Sequence, residues 1–135
     1  MLNKERQEEV VELCQHLIQK QSYSGHEDGV AGVLEEQLKK KGFDSVTVDK
    51  YGNVIGCIKG NRPGKKILFD GHIDTVPVTD ETEWQYPPFA AEIHDGKIYG
   101  RGTSDMKGAV AGFVTAAAAF AEDTKKDFAG EIYVA

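Results

Sequence analysis

The order of helical and strand patterns is the feature that most limits how this chain can fold. Apolar residues recur at helical spacing in residues 4–20 and again in residues 24–41. Short strand patterns occupy the middle of the chain, an alanine- and glycine-rich helical stretch covers residues 104–122, and a further strand pattern begins at residue 131. Because such alternation is typical of a sheet covered by helices, the sequence predicts an α/β domain with a mixed sheet.

Local signals set the expected boundaries of these elements. Ser24 and Glu27 stand three residues apart before an apolar repeat, which predicts a capping box at the start of the second helix. The Asp95–Gly96 pair predicts a tight hairpin between two short strands. Gly108 and Gly112 are four residues apart and would let a neighbouring backbone approach the third helix.

The apolar run Ile67-Leu68-Phe69 is the strongest strand signal. Continuous apolar residues are typical of a strand that is buried on both faces, and residues 61–64 predict a turn before it. We expect the final strand, residues 131–135, to lack its continuation and to expose an edge of the sheet.

The charge balance limits the partners. The 135 residues include 22 acidic and 16 basic side chains, which gives a formal charge of −6. Because Lys and Arg must neutralise phosphates, this argues against a nucleic-acid or anionic-membrane partner. Cys14 and Cys57 stand in a helix pattern and a strand pattern, where they predict reduced, apolar side chains. We therefore expect a cytoplasmic protein.

A polar motif directly after the apolar run carries the first chemical signal. It reads Gly71-His72-Ile73-Asp74-Thr75-Val76-Pro77, and an open α/β sheet binds its ligands at this end of its strands. In extended backbone His72 and Asp74 point to the same side, so the carboxylate can accept a hydrogen bond from the imidazole nitrogen that faces away from a metal. Taken alone, such a pair is more often an ordinary His-Asp contact in a polar turn.

A second motif, Gly100-Arg101-Gly102-Thr103-Ser104-Asp105-Met106-Lys107-Gly108, joins a strand pattern to the third helix. Glycines shape the backbone around Asp105, and a carboxylate in such a place can bridge two metal ions. The alternative is helix capping, which either Ser104 or Asp105 could provide.

Together the two motifs resemble the zinc-dependent exopeptidase family called M20, which includes acetylornithine deacetylase, succinyl-diaminopimelate desuccinylase, glutamate carboxypeptidases and related dipeptidases. Further similar stretches are Ser24-Gly25-His26-Glu27, Trp84, Pro88-Phe89 and Asp95-Gly96-Lys97-Ile98-Tyr99, so the resemblance covers nearly the whole chain. It implies a zinc-exopeptidase-like catalytic domain with helices on both faces of a mixed sheet. It also implies hydrolysis of amide bonds in small N-acyl amino acids, dipeptides or carbamoyl compounds by a water molecule that two zinc ions activate.

The resemblance implies a role for each of three residues. His72 would be a terminal ligand of one metal ion, Asp105 would bridge both ions, and Asp74 would have the catalytic role of orienting His72. Two divalent ions are expected as cofactors, with zinc first and cobalt or manganese as alternatives, because His and Asp ligands accept several metals. By the same resemblance, the Asp105–Met106 peptide would be cis. The expected partner is a small-molecule or peptide substrate.

The other site residues of that family have no counterpart in this sequence. In the family a Glu-Glu pair supplies the general base and a second-metal ligand, and a later acidic residue and a late histidine complete the site. The adjacent pairs here, Glu8-Glu9 and Glu35-Glu36, lie in the first two helices. We therefore expect residues 1–135 to be the N-terminal part of the catalytic domain, without the smaller domain that usually supplies dimer contacts and without the C-terminal part.

The expected function follows from that division. The longer protein would be a zinc-dependent amidohydrolase or metallopeptidase, with a homodimer as one expected state, and residues 1–135 alone would be inactive. Two alternatives stay open at this point. The chain could be a non-catalytic metal-binding or interaction module that kept the fold, or it could belong to another zinc peptidase family with a similar His-x-Asp motif.

Overall fold

The computed structural model describes residues 2–135, in which it places three α-helices and six strands. In chain order these are α1 (Lys4–Ile18), α2 (Asp28–Lys40), β1 (Ser45–Val48), β2 (Val54–Lys59), β3 (Arg62–Phe69), β4 (Glu92–His94), β5 (Lys97–Tyr99), α3 (Gly108–Thr124) and β6 (Ala129–Val134). The predicted order of elements and the mixed α/β class are confirmed.

The main sheet has four strands in the order β1-β2-β6-β3. β2 pairs antiparallel with both β1 and β6, whereas β3 and β6 run parallel. The final strand therefore lies between two others, and the expectation that it exposes a sheet edge is wrong. Helix α3 returns the chain across the sheet. β6 therefore pairs in parallel with β3, and the order of the strands in the sheet differs from their order in the sequence.

The strand β3 is not buried as predicted. Ile67, Leu68 and Phe69 are 50%, 57% and 40% exposed, because β3 lies at the end of the sheet and pairs only with β6. Three residues of the predicted turn at 61–64, Arg62 to Gly64, are also part of this strand, in which an irregular register separates Arg62 from Lys66. Proline is tolerated in an edge strand, which explains how Pro63 fits there. An apolar run indicates a strand but does not reveal its place in the sheet.

The core lies between the sheet and one layer of helices. Leu34 and Leu38 of α2 and Val114 of α3 belong to the same buried cluster as Val54 of β2 and Val134 of β6. Within residues 2–135, α2 packs on β1 and β2, α3 packs on β2 and β6, and α1 packs on α2 and α3. None of the helices in the same residues is long and apolar enough to cross a membrane.

Local predictions are confirmed at some positions and wrong at others. The Asp95–Gly96 hairpin is confirmed, since both residues have positive φ, 49° and 73°. Both cysteines are buried and unpaired, as predicted. Gly108 is a point of close approach, because a Cβ there would lie 2.6 Å from Thr103 O, but a Cβ on Gly112 would meet nothing within 4 Å.

Candidate metal centre

The loop after β3 leaves the sheet where β3 and β6 end together. Their pairing continues one step beyond the strands, because Ala135 N donates to Phe69 O and Gly71 N donates to Ala135 O, both at 3.0 Å. A Cβ on Gly71 would lie 3.1 Å from Met106 Cε, so the loop also lies directly against the start of α3. The strand ends and α3 together determine where His72 stands.

Asp105 lies in a turn, residues 103–107, just before α3. Gly102 has φ 82°, and the backbone of Asp105 is non-helical, with φ −131° and ψ 92°. The Asp105–Met106 peptide is cis, as predicted. Lys107 stands at the N-cap position of α3 and no side chain caps this helix. The interpretation of Ser104 or Asp105 as the cap is therefore wrong.

The structure brings the three predicted residues together. His72 Nε2 lies 2.8 Å from Asp105 Oδ1, and His72 Nδ1 lies 3.1 Å from both the Oδ1 and the backbone oxygen of Asp74. The imidazole thus stands between two carboxylates at the end of β3, and the predicted contact of Asp74 with a ring nitrogen of His72 is confirmed. With a proton on Nδ1 donated to Asp74, Nε2 is left as a lone-pair donor facing Asp105.

The charges around His72 favour its cationic form when no metal is bound. The hydrogen bond to Asp105 raises the pKa of His72, and it outweighs the opposing effect of partial burial. The hydrogen bond from Ser24, followed by the charge of His72, lowers the pKa of Asp74. Both acidic partners therefore attract positive charge to this position, whether it is a proton or a metal ion.

Ser24 is a site residue that the sequence interpretation missed. Instead of capping α2, its hydroxyl donates to Asp74 Oδ2. α2 begins at Asp28, its N-cap residue Glu27 makes no side-chain cap, and the Glu27 carboxylate accepts from Gly25 N at 2.6 Å. The Ser-x-x-Glu spacing is present here without a capping box, and only the fold shows that Ser24 bonds to Asp74 instead.

The segment before α2 runs beside the His72 loop. Ser22 Oγ donates to Ile73 O and Thr75 N donates to Ser22 O, both at 2.8 Å. These bonds place Ser24 opposite Asp74. The orientation of Asp74, and through it of the candidate ligand His72, therefore depends on a contact between residues about fifty positions apart.

Lys107 is a second missed residue. Its side chain is fully buried, and Nζ donates to Leu17 O and Lys20 O, both at 2.8 Å, at the end of α1. Burial lowers the pKa of Lys107 to about 8. A cation at the C-terminal end of a helix satisfies unpaired carbonyls and complements the helix dipole. Lys107 therefore ties the Asp105 turn to α1.

The donors at this site suit a divalent ion but form only part of a coordination sphere. Imidazole nitrogen and carboxylate oxygen are ligands that zinc accepts, and catalytic zinc normally has three protein ligands. Within residues 2–135 no group of three or more His, Cys, Asp or Glu side chains is arranged to hold a metal ion. His72 and Asp105 fit as two members of a larger ligand set.

Known protein families and curated proteins include relatives of this chain. The model of Peptidase family M20/M25/M40 matches residues 68–135, which include both motifs. A succinyl-diaminopimelate desuccinylase from Beijerinckia indica subsp. indica is 39% identical over 132 residues, covering 93% of this chain and 34% of that protein. The chain spans about a third of the length of the curated relatives it matches.

Solved structures show the same fold. An M20 family metallo-carboxypeptidase from Sulfolobus solfataricus superimposes with a TM-score of 0.79 at 26% identity, over 93% of this chain and 30% of that one. A Bacillus subtilis protein described as a dinuclear metal-binding M20 peptidase superimposes with a TM-score of 0.70 at 19% identity, over 98% and 35% of the two chains. The second likeness concerns the fold alone.

Proposed function

The chain belongs to peptidase family M20/M25/M40, and from that premise we propose that the protein containing it hydrolyses amide bonds in small N-acyl amino acids, dipeptides or carbamoyl compounds, with two divalent metal ions. The observation that carries the proposal is the contact of His72 Nε2 with Asp105 Oδ1 at 2.8 Å, with Asp74 behind the imidazole. We further propose a cytoplasmic protein that acts on small molecules or peptides and not on nucleic acid or membranes.

The roles of the residues follow from their positions. His72 would hold one metal ion through Nε2, and Asp105 would hold both ions through its exposed carboxylate. Bound ions would supply Lewis acidity toward the scissile carbonyl and a water of lowered pKa. Asp74 accepts a hydrogen bond from Nδ1–H of His72, which fixes the tautomer of the imidazole and directs Nε2 at the metal position. Ser24 holds Asp74 for this purpose.

Activity is the direct test of the proposal. The complete reading frame that contains this segment should be expressed and assayed with N-acetyl and N-succinyl amino acids and with dipeptides, in the presence of zinc or cobalt. We expect hydrolysis that His72→Ala abolishes. A longer protein that binds metal at His72 but hydrolyses none of these substrates would favour the metal-binding module and contradict the proposal.

We predict that the 135-residue chain alone does not hydrolyse these substrates. It provides one terminal ligand, one bridging ligand and one orienting carboxylate, and no further carboxylate in residues 2–135 joins them. A positioned general base alone contributes roughly 10²–10⁴-fold in rate. The same assays on the purified chain provide the measurement. Turnover that disappears in His72→Ala would show that these 135 residues suffice, and the prediction would then be wrong.

We predict that Asp74→Asn weakens metal binding at His72 by about 10–100-fold, the usual effect of removing an outer partner of a ligating histidine. The amide keeps the shape of the side chain but has no negative charge to stabilise the Nδ1 proton. Isothermal titration with zinc provides the measurement, with Asp80→Asn as the control, because the Asp80 carboxylate accepts two hydrogen bonds from Thr82 in its own turn. Equal zinc affinities of Asp74→Asn and Asp80→Asn would show that Asp74 does not orient His72.

A further inference from the structure

Met106 joins the two motifs that carry the candidate metal ligands. It directly follows Asp105 in the turn before α3, and the backbone nitrogen of His72 donates to its sulfur at 3.4 Å. The side chain thus reaches from the residue after one candidate ligand to the main chain of the other. Because His72 and Asp105 are 33 positions apart in the sequence, this contact links two segments that the chain itself does not hold together.

The His72 N–H lies just beyond the last hydrogen bond of the sheet. The pairing of β3 and β6 ends with the bond from Gly71 N to Ala135 O, and within residues 2–135 β3 is at the end of the sheet. A thioether sulfur is a weak acceptor, but it is polarisable and its side chain adapts to irregular surroundings. Met106 therefore supplies an acceptor where the paired strands no longer offer a carbonyl.

Packing limits the movement of the Met106 side chain. A Cβ on Gly71 would lie 3.1 Å from both Met106 Cε and Phe113 Cε1, and 3.3 Å from Val110 Cγ2. Met106 and Phe113 are partly buried against the core cluster to which Val110 belongs. The Met106 methyl group and two side chains of α3 therefore fill the space beneath Gly71, and the sulfur is kept beside the His72 N–H.

We propose that Met106 is a positioning residue of the metal centre, whose sulfur holds the His72 backbone at the distance from Asp105 that metal binding requires. Site residues must be held within roughly 0.5 Å of their working geometry, and a hydrogen bond between the two segments limits their separation. An apolar side chain of the same shape would fill the space but would offer no acceptor. The effect on metal binding rests on the proposed function, whereas the hold on the His72 loop rests on the contact itself.

Replacing only the sulfur atom tests the proposal. Met1 and Met106 are the two methionines of the sequence, so incorporation of norleucine, in which a methylene group replaces the sulfur, changes a single residue within 2–135. We expect the NMR signal of the His72 amide proton to move upfield and its exchange with solvent to become about 2–10-fold faster, as for the loss of one net hydrogen bond. The zinc affinity measured at the His72 ring signals should fall by about 2–10-fold for the same reason.

Selenomethionine provides the rescue, because selenium keeps an acceptor in a side chain of nearly the same shape. It should restore the His72 amide signal and the zinc affinity, and an NMR-active selenium isotope should show a coupling to the His72 amide proton across the hydrogen bond. Val10→Ala is the packing control, since Val10 is also partly buried against the core but belongs to α1. This variant should leave the His72 amide signal unchanged.

Several outcomes would overturn the positioning role of Met106. They are a His72 amide signal that norleucine leaves unchanged, a zinc affinity that norleucine leaves unchanged, and equal effects of norleucine and selenomethionine. The selenium coupling decides the question even if the norleucine chain does not fold, because its absence would show that Met106 does not receive this N–H.

The same measurements distinguish this proposal from the proposed function. If zinc binds at His72 equally well with and without the sulfur, the positioning role is wrong and the proposed metal centre stands. If norleucine changes the His72 amide signal but neither chain binds zinc, the hold of Met106 on the His72 loop stands and the metal ions of the proposed function are wrong.

Discussion

Gly130→Ala should lower the free energy of unfolding by about 3 kcal/mol or more. Gly130 has φ +100°, and a Cβ on it would lie 2.0 Å from the backbone oxygen of Lys65 in β3. A side chain in such backbone costs about 1–3 kcal/mol, and overpacking typically costs about 1–3 kcal/mol more. The Lys65 carbonyl cannot give way freely, because it belongs to the strand whose pairing with β6 determines where His72 stands.

Gly112→Ala is the matched control for this prediction. Gly112 lies within α3, and a Cβ there would meet nothing within 4 Å. We expect this variant to be more stable than the unchanged chain by about 0.5–1 kcal/mol, because alanine loses less backbone entropy in a helix. Urea unfolding followed by circular dichroism measures both variants. The same substitution should thus have opposite signs at the two sites, and a stable Gly130→Ala would show that β3 and β6 do not approach as closely as described.

The second large effect is expected for metal binding after His72→Ala. Among residues 2–135 the imidazole is one of two candidate ligands that meet here, so its loss should weaken zinc binding by more than the roughly 10–100-fold that loss of an outer partner costs. The measurement is a zinc titration of the 135-residue chain, followed through the ring NMR signals of its four histidines. In the unchanged chain the His72 signals should respond first, with weak affinity because the ligand set is partial.

Another histidine provides the control for the zinc titration. His94 also contacts a carboxylate, with Nε2 2.7 Å from Glu92 Oε2. Its ring stacks on the Tyr86 ring, with the two ring centroids 3.8 Å apart. His94→Ala should leave the response of the His72 signals to zinc unchanged. Asp105→Ala should weaken that response, as His72→Ala weakens zinc binding. If zinc prefers His94, or if Asp105→Ala has no effect on the His72 signals, the two candidate ligands do not act together and the metal centre is wrong.

The sequence interpretation was accurate where a short stretch contains its own explanation. Asp95 and Gly96 specify their hairpin because few residue pairs accept positive φ at both positions of the turn. It was inaccurate where the explanation lies elsewhere in the chain. The run Ile67-Leu68-Phe69 shows that a strand is present, but its exposure depends on which strands lie beside it, and that choice is made by β6 more than sixty residues later.

The same difference between local and distant causes applies to the candidate site. The sequence by itself determined the types of donor and their local spacing, because His72 and Asp74 are two residues apart and alternate side chains in extended backbone share a side. Only the tertiary structure decided that Asp105 faces the other ring nitrogen, that Ser24 holds Asp74, and that Lys107 anchors the turn to α1. Each of these contacts joins segments far apart in the chain. They form because β3, β6 and α3 pack into one layered core, and no local pattern contains the geometry of that packing.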